Sequence, residues 1–317
     1  MNSAAIEFSV VIPVYNEEAN LPDLIKRCLA ACEEAKGEYE IILIDDGSSD
    51  SSAKLIEEAS IKTNGRIVGV ILTTNFGQHA AVTAGFASSK GKYIITLDAD
   101  LQNPPEEIPN VLAEMRKGAD VVGTIRANRK DTLFRKLASK TVNFMARKVT
   151  GVHMQDYGCM LRGYSRPVVD AVLQCHEHSK FIPILANNFA RKSAEIVVKH
   201  SERAAGDSKY GLWKLVNLQF DLLTGMTTFP LRLLSVFGFL VAGVGLLCAM
   251  VLLALRVIEG AEWSGNGVFT IFAVLFIFIG GQFVGMGLLG EYIGRIFHDV
   301  RGRPQFFIER VTGRGSK

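Results

Sequence analysis

A short acidic segment, Asp98-Ala99-Asp100-Leu101-Gln102, follows an apolar run and is closed by Asn103-Pro104-Pro105. Residues two apart on an extended segment point the same way, so the oxygens of Asp98, Asp100 and Gln102 are expected to converge. Three hard oxygen donors suit Mg²⁺ or Mn²⁺ bound together with substrate phosphates. A polar turn that caps a helix beginning at Glu106 is the alternative interpretation, and the position at a strand end favours the metal site.

Two more polar segments follow apolar runs nearer the start of the chain. In the first, Tyr15 can stack on a nucleobase and Glu17 can accept a hydrogen bond from a ribose hydroxyl. In the second, Asp46 can accept from a nucleobase N–H, and Gly47 permits a tight turn. The alternative for the second segment is that residues 48–50 cap the next helix.

Two groups of residues contain the basic side chains that could bind a diphosphate or a phosphate. Arg126 follows the fifth predicted strand, and Arg203, Ser208 and Lys209 surround Gly206 just before an apolar region. A guanidinium and an ammonium six residues apart can clamp one phosphate. A solvated basic stretch is the alternative.

Short apolar strands that alternate with amphipathic helices are predicted to position these residues. This pattern is typical of an α/β fold with a doubly wound, mostly parallel sheet, in which ligands bind beyond the carboxyl ends of the strands. The predicted strands are 8–14, 40–44, 67–72, 93–97 and 120–124. The predicted helices are 21–35, 52–60, 78–88 and 106–117.

The composition excludes several classes of protein. A net charge of +3 over 317 residues gives no sign of a nucleic-acid partner. Five cysteines without paired spacing indicate a reducing compartment. The mean hydropathy of +0.21 is high for a soluble protein, so apolar residues must be concentrated somewhere.

That apolar excess lies in two uncharged 23-residue stretches, 233–255 and 268–290. Each is long enough to cross a lipid bilayer as a helix, and two crossings are predicted. The connection between them carries one basic residue, whereas the following tail is basic, so both termini are predicted to be cytoplasmic. The predicted domains are a cytoplasmic catalytic domain (1–209), a juxtamembrane amphipathic helix region (210–232), the two spans (233–290) and a basic cytoplasmic tail (291–317).

Four motifs together resemble a known family: VIPVYNEE, LIDDGSSD, TLDADLQNPPEE and the segment from Glu202 to Tyr210. They are similar to the inverting polyprenyl-phosphate glycosyltransferases of glycosyltransferase family two, which have the GT-A fold, and the resemblance covers nearly the whole chain. Three later motifs, DYGCMLRGY, CHEHSKFIPILAN and GMGLLGEYIGRI, are most similar to members that transfer 4-deoxy-4-formamido-L-arabinose to undecaprenyl phosphate.

The resemblance implies a UDP-sugar donor, an undecaprenyl phosphate acceptor and a multi-pass place in the bacterial inner membrane. It also implies a homo-oligomer, a tetramer in relatives, and a role in lipid A modification and resistance to polymyxin. By position, Pro13, Tyr15, Glu17 and Asp46 would hold the uridine, and Asp98, Asp100 and Gln102 the metal. Arg126 would close over the diphosphate, and Arg203, Ser208 and Lys209 would meet phosphate. Asp156 matches a carboxylate proposed as a base in some relatives, although a phosphate dianion needs little deprotonation.

Other functions remain open at this point. A related enzyme using UDP-glucose or UDP-N-acetylglucosamine would share most of these residues. A catalytically inactive membrane binding or scaffold protein is the alternative from another class, and the complete set of Asp46, Asp98, Asp100 and Gln102 argues against it. A processive polysaccharide synthase would carry a Q-x-x-R-W motif, which this sequence lacks.

Overall fold

A computed structural model describes residues 5–63, 65–126, 159–175, 181–198, 229–259, 268–300 and 304–314. The chain divides into two compact units. One contains Met1–Gly211 and Arg303–Lys317, and the other contains Leu212–Gly302. Each unit is described below by itself.

Four parallel strands form the centre of the first unit: β1 (Phe8–Val14), β2 (Tyr39–Asp45), β3 (Ile67–Leu72) and β4 (Tyr93–Thr96). They lie in the order β4-β1-β2-β3. Their side chains are almost all buried because helices cover both faces, which explains why the strands are continuously apolar rather than alternating. The predicted doubly wound, parallel centre is confirmed.

Helices connect these strands: α1 (Leu21–Glu34), α2 (Ser52–Lys62) and α3 (Gln78–Ser88). A 3-10 turn (Pro105–Glu107) leads into α4 (Ile108–Arg116), where the sequence predicted one continuous helix. Proline is tolerated in the first turn of a helix because the backbone N–H that it lacks has no partner there. Proline occupies this first turn in α1, in the 3-10 turn and in α4.

Helix α3 packs directly on the sheet. A Cβ atom built at Gly85 would stand 2.4 Å from Val11 and 2.8 Å from Ile44, so glycine allows the helix to approach β1 and β2 closely. The first residue of α3 is therefore carried by an element that is fixed against the centre of the sheet.

Further strands flank the centre on the β4 side: β5 (Val121–Arg126), β6 (Arg162–Ser165) and β7 (Ser193–Val198). Strand β6 runs antiparallel to both β4 and β5, whereas β5 and β7 are parallel. Helices α5 (Arg166–Gln174) and α6 (Ile182–Phe189) lie between β6 and β7 in the chain.

An eighth strand, β8 (Ile308–Thr312), completes the sheet order β7-β5-β6-β4-β1-β2-β3-β8. It pairs antiparallel with β3, and the carbonyl of Phe307 accepts from the amide of Thr73 at 3.1 Å. A basic tail was predicted for this region, and the strand was not. The adjacent charged residues Glu309 and Arg310 and the mostly exposed side chains of β8 give no apolar pattern that would indicate a strand.

The second unit contains two long helices, α7 (Phe229–Glu259) and α8 (Val268–Val300). Gly285 of α8 lies where a Cβ atom would be 3.5 Å from the side chain of Leu234 in α7. Within the described residues, no helix is both long enough and apolar enough to cross a membrane.

Candidate active site

The carboxyl ends of β1, β2 and β4 meet at one edge of the sheet, and the polar segments predicted from the sequence lie there. The segments after β1 and β2 are joined by hydrogen bonds: the amide of Asn16 donates to Ser48 Oγ at 3.0 Å, and the amide of Glu17 donates to Ser52 Oγ at 3.0 Å. In addition, Asn16 Oδ1 accepts a hydrogen bond from the amide of Ser49 at 2.8 Å. The two predicted halves of the nucleoside site therefore form one connected surface.

Asp46 is buried and holds the loop after β3. Its Oδ1 accepts from the amide of Phe76 at 2.8 Å, and its Oδ2 accepts from the amide of Gly77 at 2.9 Å. Burial raises the pKa of Asp46, the charge of Asp45 raises it further, and the two amide donors oppose the shift. An ionised carboxylate has about four acceptor positions, so these two bonds leave capacity for a ligand N–H.

Gly47 makes this arrangement possible. Its φ is +68°, and a Cβ atom there would stand 2.5 Å from the carbonyl carbon of Thr74 and 2.6 Å from the nitrogen of Asn75. No side chain fits between the turn after β2 and the loop after β3. The β3–α3 loop, defined as residues 73–77, is thus seated directly on the end of β2.

Asp98 and Asp100 lie close enough to influence each other. Burial, followed by the charge of Asp100, raises the pKa of Asp98 to about 7. A hydrogen bond from Gln78 and the positive charge of Arg126 act in the opposite direction, and Glu17 adds a smaller upward contribution. The side chains that influence Asp98 thus come from segments after β1, β3 and β4 and from the end of β5.

The expected extended geometry of the acidic segment is wrong. Residues 99–103 form turns and bends, Leu101 has a φ of +59°, and Asp100 Oδ1 accepts from the amide of Gln102 at 3.2 Å. The side chain of Leu101 belongs to the hydrophobic core, so the turn keeps it buried between two polar neighbours. Asp98 and Asp100 are therefore brought together by a turn rather than by strand alternation.

The oxygen ligands of Asp98 and Asp100 fit a divalent cation whose remaining ligands come from a substrate. Among the described residues, no group of three or more His, Cys, Asp or Glu side chains can hold a metal alone. Two neighbouring carboxylates are what Mg²⁺ uses when phosphate oxygens and water complete its coordination. The chemistry of Asp98 and Asp100 thus agrees with a metal–diphosphate site.

Other predicted residues lie along the same edge. Tyr15 is half-exposed at 50%, which leaves its ring available for stacking, and Pro13 is partly exposed within β1. Glu17 accepts from Asn20 Nδ2 at 2.6 Å. Arg126 is the last residue of β5, since that strand ends two residues later than the sequence predicted.

Comparison with known proteins identifies the family. Residues 9–173 match Glycosyl transferase family 2. The chain belongs to glycosyl transferase family 2. The resemblance drawn from the motifs is therefore confirmed, and the matched region contains the whole acidic edge of the sheet.

Family members with high identity extend over nearly the whole chain. The chain is 60% identical over 305 residues to the undecaprenyl-phosphate 4-deoxy-4-formamido-L-arabinose transferase of Proteus mirabilis. That alignment covers 96% of this chain and 94% of the relative. The chain is 57% identical over 312 residues to the protein of the same name from Pseudomonas fluorescens, covering 98% and 92%.

A solved structure supports the fold. Glucosyl-3-phosphoglycerate synthase from Mycobacterium tuberculosis, in complex with phosphoglyceric acid, aligns with a TM-score of 0.50 at 18% identity. The alignment covers 70% of this chain and 79% of that chain. The α/β glycosyltransferase fold expected from the sequence is confirmed.

Several predicted site residues of this family 2 glycosyltransferase lie outside the described residues. They are Asp156, Arg203, Ser208 and Lys209. The predicted amphipathic helix at 210–228 also lies outside them. The roles of these residues therefore stay predictions.

Sequence reasoning missed Gln78. Its Nε2 donates to Asp98 Oδ1 at 2.7 Å. Gln78 is the first residue of α3 and directly follows Gly77, which has a φ of +95°. Its place after β3 indicates the edge of the sheet where ligands bind, but nothing in the sequence indicates the contact with Asp98.

Proposed function

We propose that this chain transfers 4-deoxy-4-formamido-L-arabinose from UDP to undecaprenyl phosphate with inversion of configuration. The observation that carries the proposal is the identity of about 60% with relatives of that name over nearly the whole chain. The acidic edge supports it physically, because it combines acceptors suited to a nucleoside with two adjacent carboxylates suited to a metal-bound diphosphate.

Binding of the donor falls to the segments after the parallel strands. Pro13, Tyr15 and Glu17 would hold the uridine together with Asp46, whose carboxylate is already oriented by two amides. Asp98 and Asp100, with Gln102, would hold Mg²⁺ or Mn²⁺. Such an ion, when bound, stabilises the negative charge on the departing diphosphate.

Chemistry at the sugar requires one bond to form and one to break. An oxygen of the lipid phosphate attacks the anomeric carbon, and the bond from that carbon to the UDP oxygen breaks on the opposite face. Arg126, at the end of β5, would stabilise the leaving diphosphate, and its charge already acts on Asp98. The main contribution of the protein is then alignment and charge stabilisation.

The acceptor phosphate needs cations more than a base. Its second pKa is near 6, so at neutral pH it is largely a dianion. Arg203, Ser208 and Lys209 would bind it, and Asp156 would position the sugar or an arginine rather than remove a proton.

We also propose that α7 and α8 cross the bacterial inner membrane. The support is the complete sequence of these helices, which includes the uncharged stretches 233–255 and 268–290. After α8 the chain returns to the first unit as β8 and pairs with β3, and this return supports an even number of crossings. Both termini would be cytoplasmic, with the lipid bilayer and further copies of the chain, in a tetramer, as partners.

A panel of donors tests the proposal. Purified protein is incubated with undecaprenyl phosphate, Mn²⁺ and, separately, the UDP derivatives of 4-deoxy-4-formamido-L-arabinose, glucose and N-acetylglucosamine, and the lipid product is identified by mass spectrometry. We expect only the formamido sugar to be transferred efficiently. Asp100→Asn, which keeps the shape and removes the charge, should lose most turnover. A glucosyl product would overturn the sugar assignment, and no product with any donor would favour a binding protein.

A further inference from the structure

We propose that Gln78 is a positioning residue that orients the Asp98 carboxylate for the metal-bound diphosphate of the donor. The inference rests on the proposed function, since it concerns the donor site described above. It assigns a role to the first residue of α3, which no motif of the sequence indicated.

The contact between the two side chains is direct. The Gln78 amide donates to Asp98 Oδ1 at 2.7 Å, which is a short bond to a charged acceptor. One carboxylate oxygen is thereby fixed in direction, and rotation about the terminal torsion of Asp98 is restricted. The second oxygen is then held in one orientation relative to Asp100.

The backbone that carries Gln78 is held from both sides. On one side, the amides of Phe76 and Gly77 are bound by Asp46 at 2.8 and 2.9 Å. On the other side, α3 is packed on the sheet through the close approach at Gly85. The side chain of Gln78 is exposed, so its position comes from this fixed backbone and from its bond to Asp98 rather than from burial.

Three consecutive residues, 76 to 78, thus contact two acidic residues that follow different strands. Asp46 belongs to the predicted uridine site, and Asp98 belongs to the predicted diphosphate site. The end of the β3–α3 loop and the first residue of α3 join these two sites through hydrogen bonds of 2.7 to 2.9 Å. A neutral amide suits the position of Gln78, because it can donate to the carboxylate of Asp98, which another carboxylate could not do.

The test measures the affinity of the full-length protein for Mn²⁺ in the presence of UDP, with electron paramagnetic resonance to detect the bound and free ion. Gln78→Leu removes the donor and keeps an approximate side-chain volume. We expect Mn²⁺ affinity to fall about tenfold, the effect of losing one hydrogen bond to a charged group. Gln174→Leu is the matched control, because Gln174 is also an exposed glutamine at a helix end but lies at the last residue of α5.

Kinetics separate positioning from a general structural defect. For Gln78→Leu, the KM for the UDP-sugar should rise about tenfold, while the KM for undecaprenyl phosphate stays unchanged. A defect in folding would instead lower kcat through a smaller active fraction and leave the KM values alone.

Mn²⁺ affinity of Gln78→Leu within twofold of wild type would overturn the positioning role while leaving the proposed function intact. Wild-type protein that binds no Mn²⁺ with UDP would overturn the proposed function and this inference with it.

Discussion

The close approach at Gly47 can be tested by adding one methyl group. In Gly47→Ala the new Cβ would stand 2.5 Å from Thr74 and 2.6 Å from Asn75, where ordinary contact begins at 3.4 Å. The β3–α3 loop must therefore move by about 0.9 Å. A movement of that size away from Asp46 stretches its bonds to the loop amides from 2.8 and 2.9 Å to about 3.7 and 3.8 Å, beyond hydrogen-bonding distance.

The energetic cost has two parts. Alanine with a left-handed backbone costs about 1–2 kcal/mol, and each hydrogen bond lost to a charged group costs about 1.5–3 kcal/mol. Since both Asp46 bonds are lost, we expect Gly47→Ala to lose roughly 4–8 kcal/mol of stability. Gly118→Ala is the matched control, because Gly118 also has a positive φ of +89° but a Cβ atom there would meet nothing within 4 Å. It should lose only about 1–2 kcal/mol.

Two measurements detect the expected movement of the β3–α3 loop in Gly47→Ala. Hydrogen exchange of the peptide that contains Phe76 and Gly77 should accelerate in Gly47→Ala, since the Asp46 bonds that protect these amides are broken. The Kd for UDP should rise more than tenfold, because Asp46 is no longer held in its binding orientation. If Gly47→Ala keeps the exchange protection and the UDP affinity of Gly118→Ala, the β3–α3 loop is not seated on the end of β2.

Two further predictions concern stability. Glu40 is buried, and Arg314 Nη2 lies 3.4 Å from its Oε2, so Arg314→Met should cost about 1–3 kcal/mol by leaving a buried charge poorly paired. Arg310→Met, which breaks the more exposed pair with Glu57, should cost less than about 1 kcal/mol, and equal losses of thermal stability would contradict this reasoning. Burial lowers the pKa of His79 from 6.5 to about 4, so the unfolded chain binds the proton more readily. Stability should fall as the pH drops from 6.5 to 4, and His79→Leu should show a smaller fall in unfolding temperature over that range than wild type.

Much of the fold is predictable from the sequence because the central strands are buried on both faces. Continuous apolar runs such as Ile41–Ile44 predict a parallel sheet with helices on both sides. Each of these runs is ended by acidic or turn-forming residues. The acidic residues could be assigned to one edge for the same reason, since parallel strands end on the same side. The pairing of Asp98 with Asp100 was predicted for the wrong geometric reason.

What the sequence could not reveal depends on contacts between distant residues. Gln78 has no distinguishing neighbours in the sequence, and its role emerges only when Asp46 fixes the loop that carries it. Strand β8 has the composition of a basic tail, and it becomes a strand because β3 would otherwise be an unpaired edge. In both cases tertiary contacts decide the structure.

The pairing of β3 with β8 has a consequence for biosynthesis. The two strands are separated by about 240 residues, and at roughly 5–20 residues per second β3 waits about 12–48 s for its partner to be made. During that time both long helices emerge while one edge of an otherwise assembled sheet stays open. An open edge is a site for wrong pairing between chains, so synthesis that stalls within α8 should yield protein that aggregates through β3.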